Sequence, residues 1–209
     1  LRAGLADAGL PQDAIQLVQT PDRAAVGHLL SGLGGKLDVV VPRGGKSLVA
    51  RVQEEARVPV IGHLEGLCHT YIHAKADPDK AEAITLNAKL RRVGVCGSTE
   101  TMMIDASIAP TLLPRLAKAL EAKGCELRGD ERARAIYPMT AATEEDWTTE
   151  YLAPILSIAV VDNIDAAMAH IARYGSQHTD SIVTEDKSTA ERFLAEVDSA
   201  IVMHNTSTQ

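Results

Sequence analysis

Ile155-Leu156-Ser157-Ile158-Ala159-Val160-Val161 is the most apolar stretch of this chain, and a helical pattern follows it from Asn163 to Tyr174. A continuous apolar run of this length is typical of a strand. Gly175 ends the predicted helix, and Ser181 to Thr184 is predicted to be the next strand. A strand, a helix and a strand in this order indicate an α/β fold.

The same alternation extends in both directions along the chain. Further helices are predicted from Thr20 to Ser31, from Ser47 to Glu55, from Pro78 to Arg91, from Ala109 to Lys123 and from Ser188 to Val197. Further strands are predicted from Leu37 to Val41, from Val58 to Ile61, from Glu100 to Ile104 and from Ala200 to Met203. The alternation lapses near Gly66, which indicates a domain boundary there.

The composition argues against several classes of partner. Hydrophobic residues make up 45% of the chain and charged residues 23%, which is ordinary for a globular protein. A net charge of -7 without a basic tract argues against a nucleic-acid partner. No apolar run is long enough to span a bilayer, so no membrane partner is predicted. Three cysteines without a CxxC motif fit a reducing compartment, and the predicted location is the cytoplasm.

Both ends of the chain lack the pattern of a natural terminus. Leu1-Arg2-Ala3-Gly4 contains neither a methionine nor a signal-peptide layout. The last predicted strand is followed only by Asn205-Thr206-Ser207-Thr208-Gln209. We therefore expect this chain to be an internal part of a longer protein.

Cys96 is the strongest candidate for a catalytic residue. It lies in Arg91-Arg92-Val93-Gly94-Val95-Cys96-Gly97-Ser98, a predicted loop between a helix and a strand. Small neighbours leave room for a substrate carbonyl, and the two upstream arginines favour thiolate over thiol. The alternative is that Cys96, like most free cysteines, is a small buried hydrophobic residue.

Arg43-Gly44-Gly45-Lys46-Ser47 is a candidate phosphate site, because it follows a predicted strand and opens a helix. It is not a Walker A loop, since Val40 occupies the position that would need glycine. The alternative is a tight strand-to-helix turn with solvated Arg and Lys side chains. Local pattern leaves both open.

Three other polar features of the sequence have both a functional and a structural interpretation. His63, Cys68, His69 and His73 fit no tetrahedral zinc pattern, so no metal site is predicted. The segment from Tyr174 to Asp180 carries more hydrogen-bonding side chains than a turn requires, which is typical either of a functional loop or of a capped turn. Glu150 precedes the most apolar strand, where a lone acidic residue is usually solvated.

Several separated segments stand in the order found in one family. They are Val41-Pro42-Arg43-Gly44-Gly45-Lys46, His63-Leu64-Glu65-Gly66-Leu67-Cys68-His69, Asn87-Ala88-Lys89, Gly94-Val95-Cys96, and, within 161–182, Ala167, His170-Ile171, Tyr174-Gly175-Ser176, His178-Thr179-Asp180 and Ile182. Over essentially its whole length the chain resembles the gamma-glutamyl phosphate reductases, also called glutamate-5-semialdehyde dehydrogenases, of the aldehyde dehydrogenase superfamily. Met168 departs mildly from the branched aliphatic residue expected there.

The resemblance implies an aldehyde-dehydrogenase-like fold. Residues 1–66 would be the C-terminal part of a Rossmann-type NADP-binding domain, and residues 67–209 a catalytic α/β domain that is incomplete at its C-terminus. The implied reaction is the NADPH-dependent reduction of L-glutamate 5-phosphate to L-glutamate 5-semialdehyde, with release of phosphate through a cysteine thioester, in proline biosynthesis. The resemblance leaves undecided whether the protein is a homo-oligomer, since the family's oligomerisation region would lie outside this stretch.

The resemblance also assigns roles to residues. Cys96 falls on the catalytic cysteine. Gly44 and Gly45 would lie beside the cofactor phosphates and Glu150 beside the nicotinamide ribose. Arg92, His178 and Thr179 would contact the substrate, and Glu65 is left without a firm role.

Two rival interpretations remain at this point. The chain could come from another aldehyde or acyl dehydrogenase of the superfamily with a different substrate. It could also belong to a non-catalytic protein that keeps the fold as a binding module, although the presence of Cys96, Gly44 and Gly45 argues against this.

Overall fold

A computed structural model describes residues 1–209 and divides them at Leu64 into one unit of residues 1–64 and another of residues 65–209. The assignment of residues 1–66 to a cofactor domain and of residues 67–209 to a catalytic domain stays a prediction. The two units are described one after the other.

Residues 1–64 contain three helices, α1 (Arg2–Asp7), α2 (Ala24–Leu30) and α3 (Lys46–Glu55). The predicted helix from Thr20 was wrong at its start, because Asp22 accepts the bond from the Ala24 amide at 2.9 Å and α2 begins only there. The predicted strands at 37–41 and 58–61 shrink to one parallel bridge between Val40 and Val60. A strand needs neighbours on its edges, and within this unit the two segments have only each other.

Residues 65–209 form a sheet of seven parallel strands covered by five helices. The strands are β1 (Cys68–Ile72), β2 (Thr99–Asp105), β3 (Glu126–Gly129), β4 (Thr140–Ala141), β5 (Ile155–Val161), β6 (Thr179–Val183) and β7 (Ile201–His204). The helices are α4 (Pro78–Leu90), α5 (Ala109–Glu121), α6 (Glu131–Ile136), α7 (Ile164–Tyr174) and α8 (Lys187–Glu196). The strand order is β4-β3-β5-β2-β1-β6-β7, which confirms the predicted α/β class. No helix of the structure combines the length and the apolar character needed to cross a membrane.

Side chains from the strands alternate between two hydrophobic cores, one on each face of the sheet. Met102 and Ile104 of β2 point into the core beneath α4 and α5, while Met103 points into the core beneath α7 and α8. Both faces of the central strands are therefore buried. This explains why β5 shows no alternation of apolar and polar residues.

Helix boundaries in this unit follow the capping residues. The Asp77 carboxylate accepts hydrogen bonds from the amides of Asp79 and Lys80, as the Asp-Pro signal predicted. Asn163 caps α7 by accepting from the Ala166 amide at 3.1 Å. Gly124 adopts a positive φ of 79° just after α5, which only glycine does without strain.

His170 gives this unit a specific sensitivity to acid. Its ring lies between Trp147 and Tyr174, and its Nε2 atom is buried without a hydrogen-bond partner. Burial, followed by the nearby charges of His69 and Arg173, lowers the pKa of His170 from 6.5 to about 3. As the pH drops from 6.5 towards 3, His170 is protonated in the unfolded chain but stays neutral in the native state. The free energy of unfolding therefore falls over this range.

We expect His170→Phe to remove this acid sensitivity. At pH 5 the native protein should have lost about 2 kcal/mol of unfolding free energy through His170, relative to pH 8. Urea unfolding of the full-length protein at both pH values should show a loss smaller by this amount in the variant. The exposed His28 gives the control, since His28→Phe should leave the acid loss as it is in the wild type. Equal losses in the wild type and in His170→Phe would contradict the assignment.

Candidate functional site

The loop between α4 and β2, residues 91–98, carries Cys96 and is called the Cys96 loop below. Its backbone is held from two sides. The Cys68 thiol donates a hydrogen bond to the Cys96 carbonyl oxygen at 3.1 Å, and burial raises the pKa of Cys68 so that it keeps its proton. On the other side Gly97 packs so closely on the Thr208 carbonyl oxygen that an added Cβ would lie 2.8 Å from it.

Gly66 makes the closest approach to the Cys96 loop. A Cβ atom built on Gly66 would lie 2.0 Å from the Cys96 carbonyl oxygen and 2.8 Å from its Cα atom. Both are backbone atoms and cannot rotate away. The Cys96 loop therefore takes this path only because position 66 is glycine.

The Cys96 side chain lies beside His178. A ring nitrogen of His178 is within 4.8 Å of the Cys96 Sγ atom. The His178 Nδ1 atom is 2.9 Å from the Thr179 hydroxyl and 3.6 Å from the Cys68 Sγ atom. The structure thus brings Cys96, His178 and Thr179 together.

Strand pairing explains this meeting of residues that are distant in sequence. β1 lies between β2 and β6, and the three strands run parallel, with Cys68 opposite Thr99 and His69 opposite Asp180. The segments that lead into the three strands therefore meet at the same edge of the sheet. Cys96 leads into β2 and His178 into β6, so both arrive at the start of β1.

A buried histidine–aspartate pair fixes the register of β1 and β6 next to this edge. The Asp180 Oδ1 atom accepts from the His69 amide at 3.0 Å and lies 2.8 Å from the His69 Nδ1 atom. The Ser199 hydroxyl donates to the other oxygen of Asp180. Asp180 therefore anchors the strand on which Thr179 lies, immediately after His178.

Glu150 acts on the site through the backbone. Its Oε1 atom accepts a hydrogen bond from the Gly66 amide at 2.9 Å, and the Ser176 hydroxyl accepts from the neighbouring Leu67 amide at 2.9 Å. The two side chains hold the segment that supports the Cys96 loop. The predicted contact of Glu150 with a cofactor ribose stays a prediction.

Arg92 is the predicted site residue that this arrangement does not include. It is exposed just beyond the end of α4, and its side chain makes no hydrogen bond or ion pair. Nothing in the structure ties its guanidinium to the Cys96 group. Its role towards the substrate stays a prediction.

Gly44 and Gly45 lie in the other unit, at the start of α3. Gly45 is the N-cap residue of α3 and supplies no side-chain cap, and a Cβ on it would meet no atom within 4 Å. A surface hollow of about 560 Å³ adjoins this helix end. It is lined by Arg23, Val26, Gly44, Gly45, Ser47, Leu48 and Arg51. An open helix N-terminus with Arg23 nearby suits a phosphate group, while the Arg51 guanidinium is paired with Glu55 at 3.0 Å.

Three residues that were not predicted as site residues also shape the site: Gly66, Cys68 and Ser176. From local pattern, Cys68 is only part of a group that fits no zinc site, Gly66 only marks a boundary, and Ser176 is one of several polar residues of a loop. Each of them acts by touching a segment far away in sequence. Local pattern does not predict these contacts. Only the presence of positions 66, 68 and 176 in the segments shared with the family indicated that they belong to one site.

Comparison with known proteins adds to this geometry. A model of the aldehyde dehydrogenase family matches residues 3–143. The gamma-glutamyl phosphate reductase of Hyphomonas neptunium is 67% identical over 210 residues, which cover 100% of this chain and 49% of that protein. The enzyme of the same name from Caulobacter vibrioides is 65% identical over 207 residues, which cover 99% of this chain and 50% of that protein. The chain spans about half the length of the curated relatives it matches.

Solved structures agree. The gamma-glutamyl phosphate reductase of Thermotoga maritima superposes with a TM-score of 0.91 at 38% identity, over 99% of this chain and 50% of that one. An NADP complex of a glyceraldehyde-3-phosphate dehydrogenase from Methanocaldococcus jannaschii gives a TM-score of 0.74 at 16% identity and supports the fold alone. The predicted resemblance and the aldehyde-dehydrogenase-like fold are confirmed. With its model matched over more than half of the residues, the chain belongs to the aldehyde dehydrogenase family.

Proposed function

We propose that this chain forms the cysteine-bearing part of an oxidoreductase that reduces L-glutamate 5-phosphate to L-glutamate 5-semialdehyde with NADPH and releases phosphate, a step of proline biosynthesis. The observation that carries the proposal is the placement of the Cys96 thiol beside His178, on a loop whose backbone Gly66 and Cys68 hold. The high identity to proteins named gamma-glutamyl phosphate reductase supports the choice of substrate.

Cys96 is the proposed nucleophile. Its thiolate attacks the γ-carbonyl carbon of the acyl phosphate, a carbon–sulfur bond forms, and the bond between that carbon and the phosphate oxygen breaks. Phosphate leaves with the electron pair, so no water has to be activated in this direction. The product on the protein is a γ-glutamyl thioester of Cys96.

His178 and Thr179 are the proposed contacts of the glutamyl group. Both lie on the segment that reaches the Cys96 thiol, and their polar atoms are already held by hydrogen bonds. Side chains fixed in this way hold a bound acyl group in one orientation, which is a large part of the catalytic effect of an enzyme. Arg92 remains a proposed contact for phosphate or carboxylate.

Gly44 and Gly45 would hold the cofactor phosphates. The open N-terminus of α3 and the hollow beside it, with Arg23 in its lining, fit a dinucleotide phosphate. When bound, NADPH supplies the hydride that reduces the thioester carbonyl, and Glu150 would bind the ribose. After reduction the carbon–sulfur bond breaks and Cys96 returns as the thiolate. We place the enzyme in the cytoplasm, where its three free cysteines stay reduced.

A substrate panel tests the proposed reaction. The full-length protein is incubated with NADP⁺, phosphate and one of several aldehydes, and NADPH formation is followed by absorbance. We expect glutamate semialdehyde to be oxidised with a kcat/KM at least about a hundredfold above that of propionaldehyde or succinate semialdehyde, with repeated turnover only when phosphate is present. Equal or better use of another aldehyde would support a different dehydrogenase of the same family.

A further inference from the structure

The Cys96 loop is closed at its base by a buried ion pair. Lys89 lies in the last turn of α4 and Glu100 is the second residue of β2, so they flank the loop on either side. The Lys89 Nζ atom is 2.5 Å from the Glu100 Oε2 atom, and the two side chains are 0% and 3% exposed. The Ser98 hydroxyl adds a second link by donating to the Lys89 carbonyl oxygen at 3.2 Å.

The pair also reaches the segment that carries Glu150. The second carboxylate oxygen of Glu100 accepts from the Leu152 amide at 3.4 Å. The Lys89 ammonium lies 5.7 Å from the centre of the Tyr151 ring, within the range of a cation–π contact. Glu150 in turn holds Gly66 against the Cys96 carbonyl. A chain of contacts therefore connects the base of the Cys96 loop with the segment that supports its tip.

Stability alone does not account for a pair of this kind. Two charges removed from water lose their hydration, and their mutual attraction repays this only in part. Apolar residues of similar size in the same place are often equally stable or more so. Burial raises the pKa of Glu100 against the opposing effect of Lys89, because a buried site disfavours the charged form of a carboxyl group.

We propose that Lys89 and Glu100 are positioning residues, whose ion pair fixes the path of the Cys96 loop and thereby the place of the thiol; the role in turnover rests on the proposed function. Neither residue touches the reacting atoms. The hydrogen bond between the ammonium and the carboxylate has a defined direction and length. It therefore holds the two ends of the Cys96 loop in one position relative to each other. Apolar side chains of similar size would fill the same space, but they would not fix the relative position of the two ends of the loop.

The double variant Lys89→Met/Glu100→Met tests this proposal in the full-length protein. It removes both charges, keeps the length of both side chains and avoids the unpaired charge that a single variant would bury. We expect its melting temperature to stay close to that of the wild type, while kcat falls about tenfold or more and KM for NADP⁺ changes by less than about threefold. Lys80→Met/Glu185→Met, which removes an exposed ion pair between Lys80 of the same helix and Glu185 just after β6, should change neither constant.

Hydrogen exchange supplies a readout that needs no substrate. Because the double variant lacks the ion pair that holds the loop, its amides at residues 93–98 should exchange about tenfold faster, while those of β2 and β5 keep their protection. A folded double variant with wild-type kcat and wild-type exchange in the loop would overturn the proposal. If the double variant fails to fold, Lys89→Arg, which keeps the charge but changes the direction and length of the pair, must lower kcat and loop protection together; a folded Lys89→Arg with wild-type kcat and wild-type loop exchange would then overturn the proposal. Failure of the proposed reaction would show instead in the wild type, as absence of glutamate semialdehyde oxidation with normal loop exchange.

Discussion

Replacement of Cys96 with Ala in the full-length protein is expected to reduce kcat for glutamate semialdehyde oxidation by roughly 10⁴-fold or more. The expected loss is large because the thiol forms the covalent bond through which both half-reactions pass, and the neighbouring Cys68 thiol keeps its proton, since burial raises its pKa. His178 and Thr179 would still bind the substrate, so the effect should fall on kcat more than on KM. Steady-state kinetics with NADP⁺ and phosphate measure it.

Cys125 offers a matched control for the loss of a thiol. It is buried in the core next to α5, outside the Cys96 loop, and it contacts the Glu126 carbonyl oxygen. Cys125→Ala should therefore keep a kcat close to that of the wild type, with a modest loss of stability from the small cavity. A Cys96→Ala variant that turns over at a rate comparable to Cys125→Ala would exclude Cys96 as the nucleophile.

Replacement of Gly66 with Ala should have the second largest effect on kcat, although it removes none of the proposed catalytic side chains. The new methyl group would lie 2.0 Å from the Cys96 carbonyl oxygen, so the loop has to move. A displacement of about 1 Å at the thiol is enough to cost roughly a hundredfold in kcat. We also expect a lower melting temperature, because the bonds from Cys68 and to Glu150 are strained by the same shift.

The control for Gly66 lies in the Cys96 loop itself. A Cβ atom on Gly94 would meet nothing within 4 Å, so Gly94→Ala should leave kcat and melting temperature near their wild-type values. Both variants are compared by steady-state kinetics and by thermal unfolding. If Gly66→Ala behaves like Gly94→Ala, the close approach of Gly66 does not determine where Cys96 lies.

Much of the α/β fold could be predicted because its signals are local. The apolar run of β5 and the Asp-Pro start of α4 depend on neighbouring residues, and both were predicted correctly. β1 was missed because Cys68, His69 and Thr70 are polar or small, and they are buried only through partners on other strands. The strands predicted at 37–41 and 58–61 were too long, since extended structure depends on paired neighbours and Val40 has only Val60.

The site could be predicted only in part, for a related physical reason. Cys96 stands out by its small neighbours, and the family segments pointed to His178 and Thr179. The order of the strands decides that Cys96 and His178 meet, and no local pattern reports that β1 lies between β2 and β6. The supporting contacts of Gly66 and Cys68, and the ion pair of Lys89 with Glu100, follow from the same pairing.

The covalent intermediate gives the most direct test of the account. The full-length protein is incubated with glutamate semialdehyde and NADP⁺ without phosphate, quenched in acid and analysed by mass spectrometry of its peptides. Phosphate is the acceptor of the acyl group, so without it the thioester should accumulate. We expect one γ-glutamyl group on the peptide that contains Cys96, and its loss when phosphate is added before the quench. An unmodified Cys96 peptide, or the group on another residue while NADPH is formed, would contradict it.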